Sequence, residues 1–362
     1  MNSEKPETSG AKGAGVEAVA RTPTVAVIIP TKDRPEFLEE AITSALEQSH
    51  VPSEIIVVDD ASAVPVDCVR LQGRFGEKVR VIRNQESRGL AYSRNLGVEN
   101  ASAEHVIHLD DDDLLATGAI AQCLAALREF PDAELVMFAV EGFGPNAEYF
   151  NRVQPEGVER VKKLAEGVEA SPGIWLFDQK LFGALLRLVP SAFQRVMTSK
   201  RNWLNVSELR WRVYRLNPTI PDDATAKLAL GGPLRDSEWA RYAALVCKKI
   251  VLVDRPLYLA RCAGQGYSSV PSNRLAHMRQ GLDILRHLMR GAESLPELGK
   301  WKAPISNHLS DAYFDAAYQH YQLGHRFDAL RLLREGMSYR FKLKQLRLVI
   351  RLALPRRKSV VG

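Results

Sequence analysis

The chain has 362 residues, of which 46% are hydrophobic and 25% charged, and its formal net charge is +6. This balance is that of a globular protein and excludes a fibrous or wholly disordered chain, while the length favours a main domain with a smaller addition. Residues 339–358 contain eight lysines and arginines and no acid. The basic charge is therefore mainly a property of the tail.

The first 22 residues have no apolar core. They are predicted to form a disordered tail, and to be neither a signal peptide nor a membrane anchor. No apolar run approaches the roughly 20 residues that a membrane-spanning helix needs. The cysteines fit no metal-binding or CxxC spacing, and they are interpreted as reduced thiols of a cytoplasmic protein. They are Cys68, Cys123, Cys247 and Cys262.

Strands and helices are predicted to alternate through the first 140 residues. Helices are predicted to begin near Asp33 and Thr117, both interpreted as capping residues, and to span residues 90–100. Short β-branched runs between them predict buried strands. These strands are residues 25–30, 55–58, 79–82, 106–109 and 135–140. The alternation favours an α/β fold with a mostly parallel sheet flanked by helices.

The second half of the chain is less regular. Residues 142–234 show no clear period, so no element is predicted there. A helix is predicted over residues 235–246, strands over 250–253 and 257–259, and helices from about residue 273 to the end. The resulting division is a disordered tail, an α/β domain and a helical region with a basic tail. Their bounds are residues 1–22, 23–270 and 271–362.

Acidic side chains follow two of the predicted strands. Asp59 and Asp60 come after the second strand, and residues 110–113 are four consecutive aspartates after the fourth. Ligands of open α/β sheets bind beyond the carboxyl ends of the strands, so both groups are expected in one crevice. Adjacent carboxylates repel one another, which favours a divalent cation such as Mg²⁺ or Mn²⁺, with Asp110 and Asp112 as ligands. A solvated acidic turn before a capped helix is the alternative.

Four segments, read together, resemble the family 2 glycosyltransferases of GT-A fold. They are residues 25–34, 57–62, 94–97 and 109–113. The resemblance implies a GT-A domain that transfers a sugar, with inversion, from a nucleotide-diphosphate-sugar donor. The acceptor implied is a hydroxyl of a saccharide, a lipid-linked molecule or a protein, as in polysaccharide biosynthesis, and the cofactor is Mg²⁺ or Mn²⁺.

The resemblance also assigns roles to individual residues. Asp60 resembles the acid that hydrogen-bonds the base, although a turn-forming role is the alternative. Asp110 and Asp112 resemble the ends of the family's DxD metal motif. The residues implied to contact the nucleotide-sugar are Pro30, Thr31, Arg34, Asp60, Arg88, Asp110 and Asp111.

Residues 235–241 resemble the family's Glu-Asp motif, and the resemblance makes Asp236 the candidate general base with Glu238 as the fallback. Inverting transfer needs a carboxylate that takes the proton of the acceptor hydroxyl. A charged first turn that complements the helix dipole is the alternative. The sequence departs from the family pattern at three positions: an arginine replaces an acid and two alanines replace glycines. These are Arg235, Ala61 and Ala103.

Residues 312–333 resemble one tetratricopeptide-like helix pair, which is expected to pack on the catalytic domain. Beyond it, leucines interleave with basic residues from Leu343 to Leu354. That pattern is typical of a helix on an anionic membrane surface, or of one packed on the hairpin with snorkelling basic side chains. Basic tails can also bind nucleic acid, but no nucleic-acid-binding fold or aromatic platform accompanies this one, so no nucleic acid partner is predicted.

Two other functions compete with the transferase. A sugar nucleotidyltransferase would need a glycine-rich loop after the first strand, where this chain has Pro30 to Arg34. A non-catalytic nucleotide-sugar-binding or scaffold protein would keep the fold and use the helical tail to recruit partners. The motif of processive polysaccharide synthases is absent from the sequence, which favours addition of a single sugar.

Overall fold

The structure is a computed structural model, and it describes residues 22–187, 195–217, 236–262 and 274–353 with a few isolated positions between them. The predicted disordered tail lies outside these ranges except for its last residue. Arg235 and the final basic residues, 354–362, also lie outside them.

The first part of the chain forms a parallel sheet. Its strands are β1 (Val25–Thr31), β2 (Glu54–Asp59), β3 (Val79–Arg83) and β4 (His105–His108). The helices between them are α1 (Pro35–Leu46), α2 (Cys68–Phe75) and α3 (Leu90–Asn100). Both β2 and β4 pair in parallel with β1, and β3 pairs in parallel with β2. This part of the fold confirms the predicted alternation.

Alternate residues of β1 enter two different apolar cores, one on each face of the sheet. Val25, Val27 and Ile29 pack in the core that contains residues of α1, whereas Ala26 and Ile28 pack in the core that contains Val98 of α3. A strand covered on both faces needs apolar residues at every position. That requirement explains why β1 reads as an unbroken apolar run.

The remaining elements of the α/β part widen the sheet. They are β5 (Leu114–Leu115), α4 (Ala119–Glu129), β6 (Leu135–Phe143), α5 (Ala147–Leu164), β7 (Val168–Ser171), β8 (Ile174–Phe177), α6 (Lys180–Arg187), β9 (Val196–Ser199), α7 (Lys200–Tyr214), α8 (Asp236–Val246) and β10 (Ile250–Arg261). The strand order is β3-β2-β1-β4-β9-β6-β10-β8-β7, with β5 on β10. Because β9 is antiparallel to both β4 and β6, the sheet is mixed, and the predicted fold class is confirmed.

Three local predictions were wrong. The strands predicted at 250–253 and 257–259 are one strand, β10, whose register shifts around Pro256, a residue with no N–H to give to the ladder. Asp33 and Thr117 do not cap helices, since Arg34 and Gly118 occupy those positions without a side-chain cap. Asp33 instead has a φ of +56° and accepts a hydrogen bond from the Ala63 amide.

The C-terminal region is helical, as predicted. It contains α9 (Arg274–Ser294), a 3₁₀ turn (Pro296–Trp301), α10 (Lys302–Gln322), α11 (Arg326–Tyr339) and α12 (Leu343–Ala353). Helix α9 contacts α7 and α10 contacts α6, so the α10–α11 hairpin packs against the α/β part of the molecule. The tetratricopeptide-like character of that hairpin and the domain bounds stay predictions. Within the described ranges, every helix is too short or too polar to cross a bilayer.

Candidate functional site

The carboxyl ends of three neighbouring strands form one edge of the sheet. The amide of Asp60 donates to the carbonyl of Thr31 at 2.9 Å, and the amide of Leu109 donates to the carbonyl of Ile28 at 3.0 Å. Since β1 lies between β2 and β4, the residues that follow all three strands share this edge. The aspartates of the two acidic groups are therefore neighbours in space, as the topology argument predicted.

Asp60 is a buried carboxylate that holds the loop between β3 and α3. Its two oxygens accept hydrogen bonds from the Asn84 amide group at 2.7 Å, the Ser87 hydroxyl at 2.7 Å, and the main-chain amides of Arg88 and Gly89 at 2.8 and 2.9 Å. Burial alone would raise the pKa of Asp60, but these donors outweigh burial and hold it below its usual value. Asp60 therefore shapes the loop that presents Arg88.

Asp59 shapes the neighbouring loop after β2. Its buried carboxylate accepts hydrogen bonds from the amides of Ser62 at 2.8 Å and Val66 at 3.2 Å, and it is also paired with Arg83. Ala61 in this loop has a φ of +59°. Glycine adopts that conformation at little cost, which explains why the family usually has glycine where this chain has alanine.

Arg34 links the loop after β1 to the aspartates after β4. Its Nη1 atom donates to Asp112 Oδ2 at 2.7 Å and to Asp111 Oδ1 at 3.2 Å, while the Thr31 hydroxyl donates to Asp111 Oδ2 at 2.7 Å. Burial is the largest effect on Asp111 and raises its pKa despite these donors. Asp112 is more accessible, with 35% of its side chain exposed.

Asp110 lies between two arginines. Arg94 Nη2 donates to its Oδ1 at 2.5 Å, and Arg195 Nη2 donates to its Oδ2 at 2.9 Å. The guanidinium of Arg195 also lies 4.6 Å from the ring centre of Tyr258, whose hydroxyl accepts the Asp110 amide at 3.1 Å. Arg195 comes from the part of the sequence that showed no period, so its role was not predicted.

Asp113, the last of the four aspartates, is turned towards β10. Its Oδ1 accepts the Arg261 amide at 2.7 Å, and its Oδ2 lies 3.6 Å from Arg195. Burial and the nearby charge of Asp110 raise the pKa of Asp113 to about 6. The Arg261 guanidinium lies over the rings of Phe37 and Phe143 and donates through Nε to the carbonyl of Asp112 at 2.8 Å. It therefore holds the acidic turn in place.

These contacts change the physical argument for a metal ion. The sequence predicts a divalent cation as the counter-charge for the four aspartates, and in the structure Arg34, Arg94 and Arg195 also supply positive charge there. Both oxygens of Asp110 are occupied by arginines. Asp112 fits a metal ligand better, because its Oδ1 has no hydrogen-bond partner among the described residues and its side chain is accessible.

A cleft of about 460 Å³ opens beside this edge, between the loops that follow β1 and β2. Thr31 and Arg34 line it on one side, and Ser62, Pro65 and Val66 line it on the other. Its volume falls in the range of small-molecule sites, and its lining combines apolar surface with a few charged groups. Asp60 and Pro30 lie at the same sheet edge but do not line the cleft.

The two candidate general bases lie on α8. Asp236 begins this helix, and its side chain lies outside the described part of the structure. Glu238 is buried with 1% of its surface exposed, and it accepts hydrogen bonds from Arg210 at 2.8 Å and from the Tyr214 hydroxyl at 2.9 Å. Glu238 thus forms an ion pair between α8 and α7, which is the contact expected of a structural residue.

Comparisons with known proteins match the first portion of the α/β part. Residues 26–186 match the model of glycosyl transferase family 2. A glycosyltransferase of Bacillus subtilis strain 168, TuaG, named for teichuronic acid biosynthesis, is 35% identical over 92 residues, which is 25% of this chain and 36% of that protein. The GalNAc(5)-diNAcBac-PP-undecaprenol beta-1,3-glucosyltransferase of Campylobacter jejuni is 36% identical over 110 residues, 30% of this chain and 35% of that protein.

The chain thus spans about a third of the length of these curated relatives. Among solved structures, S. aureus TarS 1-349 in complex with UDP aligns with 91% of this chain and 78% of its own, at 17% identity and a TM-score of 0.47. The sequence match therefore places residues 26–186, somewhat less than half of the chain, with glycosyl transferase family 2.

Proposed function

We propose that the chain is an inverting, metal-dependent glycosyltransferase that moves a sugar from a nucleotide-diphosphate donor to an acceptor hydroxyl. One observation carries the proposal: Thr31, Arg34 and the aspartates after β4 meet at one sheet edge beside a cleft, inside a segment that matches family 2. The acceptor is a saccharide, a lipid-linked molecule or a protein. A lipid-linked acceptor is supported by the name of the Campylobacter relative, which refers to an undecaprenol diphosphate.

The nucleotide is proposed to bind in the cleft between the loops after β1 and β2. Arg34 reaches both this cleft and Asp112, so it is placed to contact the diphosphate. Pro30 and Thr31 shape the first loop, and Asp60 fixes the loop that carries Arg88, whose side chain pairs with Glu86. In this proposal Asp60 acts on the nucleotide mainly by ordering that loop, because among the described residues its oxygens already accept hydrogen bonds from four protein groups.

Mg²⁺ or Mn²⁺ bound at Asp112 would offset the charge that develops on the leaving diphosphate. Asp110 and Asp111 would act on the donor indirectly, through the residues that they position. Asp110 holds Arg94 and Arg195, and Asp111 holds Thr31 and Arg34. Arg94 and Arg195 converge on Asp110 at the same edge, so they would add positive potential beside the leaving group. Asp110 would be able to act as a second metal ligand if one of these arginines contacted the diphosphate instead of Asp110.

Asp236 is proposed as the general base in preference to Glu238. A base must reach the acceptor hydroxyl, directly or through one water molecule. Glu238 is enclosed by Arg210 and Tyr214, so both of its oxygens are already engaged. Asp236 begins the same helix two residues earlier, and it is the residue to which the resemblance to the family's Glu-Asp motif gives this role.

The proposal is tested by incubating the chain with UDP-, GDP- and dTDP-sugars, with and without Mn²⁺, and measuring melting temperature. Ligand at 100 times its dissociation constant adds about 2.7 kcal/mol, which is readily seen as a shift. We expect one nucleotide class to stabilise the protein only when metal is present, and slow release of that nucleoside diphosphate in the presence of acceptor extracts. Absence of any metal-dependent shift would contradict the proposal, and binding without turnover would favour the scaffold alternative.

Peripheral membrane contact through α12 is also proposed. One face of α12 packs on the hairpin through Leu348 and Leu352, but the helix and the residues before it leave other apolar side chains exposed beside Lys344, Arg347 and Arg351. The exposed apolar residues are Phe341, Leu343, Leu346 and Ile350. Apolar side chains flanked by basic ones favour the surface of an anionic bilayer.

Sedimentation with phosphatidylglycerol vesicles and with phosphatidylcholine vesicles tests this contact. We expect the chain to bind the anionic vesicles, the variant Ile350→Glu to bind them weakly, and the control Val69→Glu to bind like the parent chain. Val69 is an exposed apolar residue on α2, away from the basic helix. Equal binding of all three proteins, or none at all, would rule out α12 as the contact.

A further inference from the structure

Two histidines and one aspartate meet at the turn between α10 and α11. Each of His320, His325 and Asp328 offers a ligand atom, and the three atoms lie within 4.8 Å of one another. His320 Nδ1 lies 3.8 Å from Asp328 Oδ2, and the two imidazole ring centres are 5.5 Å apart. Imidazole nitrogen and carboxylate oxygen are common ligands of zinc.

The burial of His320 is a second observation that indicates a ligand. Only 6% of its surface is exposed, and its Nδ1 atom has no hydrogen-bond partner among the described residues. Buried polar atoms normally make hydrogen bonds, so a buried ring nitrogen that makes none, beside a carboxylate 3.8 Å away and a second imidazole, favours a ligand between them. His325 is available as well, because it stands at the N-cap of α11 without making a side-chain cap.

The backbone of the turn already brings the three side chains together. Gly324 has a φ of +86°, and the amide of His325 donates to the carbonyl of His320 at 2.8 Å. The carbonyl of His325 then accepts the amide of Ala329 in the first turn of α11 at 3.1 Å. A zinc ion would need these ligand atoms, which lie within 4.8 Å of one another, to close to roughly 2.0–2.2 Å from the metal.

Arg331 orients the carboxylate of Asp328. Its Nη2 atom donates to Asp328 Oδ1 at 3.1 Å, which leaves Oδ2 on the side of His320. A partner that binds the second oxygen of a metal-ligating carboxylate orients that ligand. The arrangement thus has both the ligands and one group that supports them.

We propose that His320, His325 and Asp328 bind one zinc ion that fastens the start of α11 to the end of α10, with water in the fourth position. The site lies outside residues 26–186 and shares no residue with the sheet edge. Zinc binding at this site can therefore be tested independently of the proposed transferase activity.

The test uses the full chain without a histidine tag, stripped with a chelator and then dialysed against ZnCl₂, with bound zinc measured by atomic emission. We expect one zinc per chain in the parent protein and in the controls His308→Ala, also on α10, and Asp112→Asn at the sheet edge. The variants His325→Ala and Asp328→Asn are expected to hold only background zinc. Since His325 is exposed, its replacement should leave the fold intact, which circular dichroism checks.

Zinc is also expected to raise the melting temperature of the parent chain and of His308→Ala, but not that of His325→Ala. This second measurement separates the proposed site from weak binding elsewhere. The inference is overturned if the stripped parent chain takes up no zinc. It is equally overturned if His325→Ala and Asp328→Asn bind as much zinc as the parent, since the ion would then be held by other groups such as the free cysteines.

Discussion

Arg34 and Asp112 are joined by a hydrogen bond of 2.7 Å between Nη1 and Oδ2, and the same nitrogen lies 3.2 Å from Asp111 Oδ1. One guanidinium from the loop after β1 thus holds two adjacent carboxylates from the turn after β4. Since Arg34 also lines the cleft, any anion that binds there changes the environment of both aspartates.

Replacing Arg34 with alanine is expected to weaken donor binding. The change removes a positive charge from the cleft and leaves Asp111 and Asp112 to repel each other. We expect about a tenfold loss of affinity, or roughly 1.4 kcal/mol, because the arginine is half exposed and solvent screens its charge. Calorimetric titration with the nucleotide identified in the donor screen measures the effect.

Arg74→Ala is the control for this change. Arg74 is a similarly exposed arginine on α2 that pairs with Glu39 and does not line the cleft. Its loss should leave the affinity unchanged. If both variants bind the nucleotide as the parent chain does, Arg34 has no part in the donor site.

Asp60→Ala is expected to destabilise the fold as well as to reduce activity. The carboxylate accepts hydrogen bonds from the buried side-chain amide of Asn84 and from the partly buried main-chain amides of Arg88 and Gly89. A buried donor left without an acceptor costs about 1–3 kcal/mol. Urea unfolding should show the loss in the midpoint with little change in slope. Asp67→Ala, which removes the exposed cap of α2, should cost only about 1 kcal/mol. Equal losses for the two variants would show that the loop does not depend on Asp60.

Asp236→Asn and Glu238→Gln should separate catalysis from stability. If Asp236 is the base, its amide variant keeps the parent melting temperature and loses about 10²–10⁴-fold in kcat. Glu238→Gln removes the charge that balances the buried Arg210, so it should lower stability, by up to about 3–5 kcal/mol, while the folded fraction keeps most of its kcat. The opposite pattern, a stable Glu238→Gln without turnover, would make Glu238 the base.

The parallel strands were predictable because burial on both faces leaves a local trace. Residues 25–30 and 55–58 are almost entirely apolar, and each is followed by the residues that end up at the site. The meeting of Thr31, Asp60 and Asp110 then follows from topology, since carboxyl ends of parallel strands lie on one edge. The apolar runs together with this rule for parallel sheets were therefore enough to predict this part of the site.

Arg195 shows what local pattern leaves out. It reaches Asp110 only because the short strand β9 enters between β4 and β6 in the antiparallel direction. Four residues are too few to set a period, and the pairing joins segments about 90 residues apart in sequence. The contacts of Arg34 and Arg94 with the aspartates were missed for the same reason, since these arginines also come from distant segments.

The stability of the fold is expected to depend on pH through Asp113. Burial and the charge of Asp110 raise the pKa of Asp113 from 3.8 to about 6, so the folded state binds this proton more tightly than the unfolded state does. The proton on Asp113 therefore stabilises the folded state. This contribution is fully present below pH 3.8, the pKa of the unfolded state, and is lost as the pH rises through about 6. Asp113→Asn has no such proton, so the parent chain should gain stability relative to the variant as pH falls from about 7 to about 4.5. The expected gain is on the order of 1–3 kcal/mol, measured as the difference between the two urea unfolding curves at each pH, and a difference that stays constant would show that Asp113 is ionised throughout.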